Sequence, residues 1–157
     1  MPVVQRQRPQ APVLPRGSPG RPVLLVTLDV PFDHDAVVFA VDSAVEMGAR
    51  LIVANVVERA PLPLSAIMGY DDLPYTAEMA ESLAEPVRLA RSLGLEVTRL
   101  RVKSLHPIPA MLEVVAEQDP GLFVFGPDRK KIMRLRYWRA ARAIRSHITT
   151  LIWLADA

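Results

Sequence analysis

Short, almost wholly apolar runs recur along this chain, separated by stretches long enough to be helices. Residues 23–28 (VLLVTL), 51–57 (LIVANVV) and 122–125 (LFVF) are the clearest of these runs. A strand that is apolar at nearly every position must be covered on both faces, which is the condition of a parallel sheet between helical layers. Asp29 closes the first run, and Pro31 prevents its continuation. Asp33 is placed to cap a helix over 34–48, with Val37, Val38, Val41, Ala44 and Val45 on its packed side and Gly48 at its end. Strand, helix and strand at this spacing make a right-handed crossover unit.

The rest of the chain repeats the pattern. Residues 58–76 carry Pro61, Pro63, Gly69, Asp71, Asp72 and Pro74 and read as a long loop, an element that often serves as a lid or a contact surface. A helix is expected over 76–93, kinked at Pro86 and ended by Gly94. The imperfect alternation of 95–102 predicts a half-exposed strand near a sheet edge. Pro107 and Pro109 sit where a helix can start, and Pro120-Gly121 ends it. After the 122–125 strand come a helix over 134–146 and a fifth strand from Thr149 to Leu154. Five strands alternating with four helices predict an α/β fold, an open, doubly wound parallel sheet.

At 157 residues the chain suits one domain over 22–157, preceded by a Pro-rich, flexible leader at 1–21. The absence of cysteine excludes disulfides and thiol chemistry and fits a reducing compartment. No apolar stretch is long enough to span a membrane. The formal net charge of +2 conceals a sharp asymmetry. Residues 22–125 hold seven basic and fifteen acidic residues, whereas 126–147 hold eight basic and one acidic. One concentrated basic segment on an acidic body suits a local anion site better than a nucleic-acid surface, which needs several basic elements on one face.

Ligands in open α/β sheets bind beyond the carboxyl ends of the strands. Asp29 there could accept a hydrogen bond from a ribose or an adenine-side donor, or only support the turn. Asn55, an amide inside an apolar strand, must find a partner in a ligand or in a neighbouring loop. Gly126 permits a positive φ and close approach, and amides ahead of a helix bind anions, although a strand-end turn alone would also ask for glycine. Pro127 has no N–H, so phosphate recognition would lean on Arg129 as a fork and on Lys130 or Lys131 as point charges. The 134–146 helix is amphipathic, with arginines on one side and Trp138 beside them, and could be either a solvated face or a contact for a protein partner. His34, His106 and His147 lack metal-ligand spacing, and no serine lies in a nucleophile-elbow sequence. No metal site and no catalytic residues are expected.

The segments PVLLVTLD, GARLIVANVVE, GLEVTRLRV and PGLFVFG, in this order, resemble the universal stress protein family from residue 22 to 156. The resemblance implies an adenine nucleotide alpha hydrolase-like fold with strand order 3-2-1-4-5. It also implies a cytoplasmic homodimer paired through the C-terminal strand, here 149–155, with protein partners at the basic helix or the 58–76 loop. Members that bind ATP use an Asp ending the first strand and a Val near the end of the second. After the fourth strand they use Gly, two residues, Gly, nine residues, Gly and Ser or Thr. Asp29, Val56 and Gly126 match, but the second glycine falls on Arg129 and the closing pair on Arg139-Ala140. The resemblance therefore implies a non-enzymatic stress-response or regulatory protein with weak or no ATP binding and no cofactor. The alternative is an adenine-nucleotide sensor holding ATP, ADP or AMP, with or without Mg, at Asp29, Val56, Gly126, Arg129 and Lys130.

Overall fold

The computed structural model describes residues 20–59 and 77–154. The leader (to residue 19), residues 60–76 of the long loop, and residues 155–157 lie outside the described residues. The elements in chain order are β1 (Val23–Thr27), α1 (His34–Met47), β2 (Leu51–Glu58), α2 (Ala77–Ser92), β3 (Val97–Ser104), α3 (Pro107–Gln118), β4 (Leu122–Phe125), α4 (Arg134–His147) and β5 (Leu151–Leu154). All neighbouring strands pair in parallel, in the order β3-β2-β1-β4-β5.

Alternation along the strands sorts side chains to the two faces. Val23, Leu25, Leu51, Val53, Leu122 and Val124 pack against α1 and α2. Leu24, Val26, Ile52, Ala54, Phe123 and Phe125 pack against α3 and α4. Two cores on one sheet explain why these runs contain no polar face.

Asp33 caps α1 as anticipated, its carboxylate accepting from the Asp35 and Ala36 amides at 2.8 and 3.2 Å. Gly48 ends the helix in the left-handed conformation, with φ 61°. Three boundaries differ from expectation. β3 starts at Val97, two residues late, because its eight residues pair in register with the eight of β2. The left-handed turn after α3 falls on Asp119 (φ 44°), whereas the Gly121 amide donates to Pro22 O at 2.9 Å. Arg21 holds that turn by binding both the carboxylate and the carbonyl of Asp119. β5 starts at Leu151, because the Thr150 hydroxyl turns back to the carbonyls of Pro120 and Gly121 at 2.9 and 3.2 Å.

Candidate functional site

With order 3-2-1-4-5, strand direction of growth reverses between β1 and β4, so the ligand crevice of such a sheet opens at their carboxyl ends. The β1 side is built from a turn of three linked residues. Thr27 donates its hydroxyl to Val30 O at 2.7 Å, and Asp29 takes a positive φ of 53°. The Asp29 amide donates to Asn55 Oδ1 at 3.0 Å. Asn55 is 3% exposed, so this bond resolves the question posed by a buried amide: it serves the neighbouring loop. Aspartate tolerates the left-handed region better than most residues, and Asn55 reinforces it there.

The Asp29 side chain stands exposed at the strand ends. Partial burial pushes its carboxyl above the ordinary aspartate value, while the charges of Arg136 and Arg101 pull it down and Glu58 pushes it up. Arg136 in turn forms an ion pair with Glu58. Val56 is fully buried among the residues of the α3–α4 core and pairs with Val102 of β3. Asp29 and Val56 thus sit at adjacent strand ends, with Asp29 in a ring of two acids and two arginines.

On the β4 side the chain packs against the β1–α1 turn. Gly126 does not adopt a positive φ, contrary to one role anticipated for it. Its missing side chain answers to packing: a Cβ there would lie 2.6 Å from Ala36 Cβ of α1. The close approach that glycine permits is made by the protein's own helix. Gly126 donates to Val26 O and accepts from the Asp33 amide, both at 2.9 Å. Phe32 bridges Pro127, and the Asp128 amide donates to Pro31 O at 2.8 Å. These contacts zip the β1–α1 turn to the segment after β4.

That segment then folds on itself. The Lys130 amide donates to Asp128 Oδ1 at 2.9 Å, and the Lys131 and Ile132 amides donate to Asp128 O at 3.0 Å. The amides of residues 126, 128, 130, 131 and 132 are therefore already bonded within the protein, and Pro127 has none. The guanidinium of Arg129 lies over the Tyr137 ring, 3.3 Å from its centroid, and its Nη1 is buried without a hydrogen-bond partner. Tyr137 stacks in turn on Phe125, with ring centroids 5.5 Å apart. Lys130 is exposed, and Lys131 pairs with Glu78. Arg139 faces outward and Ala140 is fully buried against the sheet, so neither offers what a Gly-Ser/Thr pair would.

A cleft of about 150 Å³ lies beside the ring, lined by Val53, Asn55, Leu83, Arg99 and Arg101. That is below the roughly 300 Å³ at which ordinary small-molecule pockets begin. Among the described residues no group of three His, Cys, Asp or Glu could hold a metal ion. Sequence reasoning missed Asp128, Glu58, Arg101 and Arg136. Only Asp128 had a local signal, since an Asp two residues before a chain reversal commonly binds the backbone there.

The model of the universal stress protein family matches residues 20–149. The chain belongs to that family. No curated protein matches its sequence at significance. Among solved structures, a universal stress family protein from Burkholderia pseudomallei is 15% identical, with TM-score 0.61, covering 87% of this chain and 96% of that one. A universal stress protein from Archaeoglobus fulgidus in complex with dAMP is 17% identical, with TM-score 0.59, covering 87% and 98%. A family protein from Arabidopsis thaliana with AMP bound is 11% identical, with TM-score 0.52, covering 85% and 90%. At these identities the likeness concerns the fold of this universal stress protein.

Proposed function

We propose that this universal stress protein is a non-enzymatic, cytoplasmic regulator that acts as a homodimer and binds ATP weakly or not at all. One observation carries the reading: after β4 the amides of residues 126, 128 and 130–132 are bonded to the protein's own carbonyls and to the Asp128 carboxylate. A phosphate would have to break those bonds and displace a carboxylate of its own sign. Calorimetry on nucleotide-stripped protein tests it. ATP should bind no tighter than about millimolar, and micromolar ATP affinity would overturn it.

The dimer is supported by β5, which ends the sheet and presents Leu151, Ile152, Trp153 and Leu154, all at least partly exposed. An apolar edge strand offers unpaired backbone groups to a second copy. Replacing Ile152 with Lys should leave a monomer by sedimentation, and an unchanged mass would remove β5 from the contact.

A second reading, an adenine-nucleotide sensor, is favoured by the ring of Asp29, Glu58, Arg101 and Arg136 and by relatives holding dAMP and AMP. There Asp29 and the Val56 backbone would meet adenosine, and one phosphate would reach arginines. Arg129 is a candidate because its Nη1 is without a partner. Arg129→Glu should weaken AMP binding about tenfold, since a charge-assisted bond becomes a repulsion. Unchanged affinity removes Arg129 from the site.

A further inference from the structure

The helices on the two faces of the sheet differ in charge. α1 carries Asp35, Asp42 and Glu46 with no Arg or Lys, whereas α4 carries Arg134, Arg136, Arg139, Arg142 and Arg145 with no acid. Arg136 turns to Glu58, but the other four arginines of α4 stand exposed. Leu135 and Trp138 share their surface at 53% and 56% exposure, and Met133 precedes them at 70%. The Arg142 guanidinium lies 5.5 Å from the Trp138 ring centroid. Positions 135, 138, 139, 142 and 145 follow steps of three and four, so they form one face of the helix. Trp, Met and Arg are the residue types enriched where proteins touch, and Trp and Arg dominate the energetics of such contacts.

The outward face of α1 is the complement. Asp35, Asp42 and Glu46 are exposed there, with Val45 between them at 46% exposure and Val38 half-buried. Both helices are 14 residues long. We propose that α4 of one copy docks on α1 of a second copy. Arg139 and Arg142 then meet carboxylates, and Trp138 and Leu135 cover the valines. Because α1 and α4 lie on opposite faces of the sheet, the contact is head-to-tail, and each added copy presents a fresh face to the next. A membrane suits this surface less well, since Glu113 and Glu117 of α3, in the same helical layer, would meet the same anionic headgroups. A nucleic acid would leave Met133 and Leu135 without apolar partners.

Salt separates this contact from pairing at β5, because ion pairs between exposed side chains are screened and a backbone ladder is not. Sedimentation equilibrium of the full chain at about 50 mM NaCl should give an average mass at least about twofold higher than at about 500 mM. The variants Arg139→Glu/Arg142→Glu and Asp42→Lys/Glu46→Lys should each lose the salt-dependent increase alone, with wild-type circular dichroism. Mixed in equal amounts they should recover it, because each supplies the face the other lacks. Equal wild-type mass at both salt concentrations overturns the proposal, as does a mixture that fails to recover. A wild-type chain that stays unassociated but binds phosphatidylglycerol vesicles through Arg142 also overturns it and assigns the face to a membrane.

Discussion

At the end of β1 the chain turns so that a carboxylate stands exposed, whereas at the end of β4 it turns so that its polar groups meet one another. Both are ends of buried parallel strands, adjacent in one sheet. The β1 turn depends on another strand: Asn55 of β2 holds the Asp29 amide, which leaves the Asp29 carboxylate exposed. The β4 turn depends on itself and on the β1–α1 loop, through Asp128, Pro31 and Asp33. The two strand ends are therefore held by different parts of the chain.

The largest expected break in this comparison comes from Gly126→Ala. A Cβ 2.6 Å from Ala36 Cβ meets an atom fixed to a helix backbone, so α1 must move, at about 2–3 kcal/mol. Urea unfolding would register the loss, and a neutral result would mean that α1 yields freely. Asn55→Ala tests the other half. It leaves a strained Asp29 amide without its acceptor, and a loss of about 1–2 kcal/mol is expected by the same measurement.

Asp128→Ala sharpens the comparison, since it frees the Lys130 amide and removes the acid from the turn. Stability should fall by about 1 kcal/mol, and affinity for ATP or inorganic phosphate should rise several-fold in calorimetry. If affinity stays constant, the carboxylate is not what keeps phosphate out. The smallest effect is expected for Asp29→Asn. Burial raises the Asp29 carboxyl in the folded state, so the fold favours the protonated form, and the ionised group opposes folding once pH exceeds that raised value. The Asn variant should therefore match or slightly exceed the wild type in urea midpoint at pH 7. The gap should close as pH falls below the ordinary aspartate value. A gap that widens toward acid would contradict the direction of the shift.

The fold was legible because burial on both faces leaves its mark in composition. Residues 23–28, 51–57 and 122–125 are apolar at almost every position, as a parallel strand covered on both faces requires. Caps such as Asp33 and Gly48 were equally legible, since they act within a few residues. The candidate site was legible only in part. Asp29 was singled out by its position at a strand end and Val56 through the family pattern, but Glu58, Arg101 and Arg136 come from three different elements with no local pattern to join them. Gly126 was found for a reason the structure replaces, because the helix that crowds it starts some ninety residues earlier in the chain.

From the sequence alone follow the class of sheet, the order of its elements along the chain, and the departure of Arg129 and Arg139-Ala140 from the family's glycine pattern. These rest on periodicity, short-range caps and residue identity. Only the tertiary structure decided that the amides of residues 126, 128 and 130–132, after β4, are bonded within the protein. Whether an amide is free to bind a phosphate depends on which carbonyl lies opposite it. For Asp128 that carbonyl belongs to Pro31, nearly a hundred residues away. Hydrogen bonding between distant segments leaves no trace in local composition, so it is read from the fold or not at all.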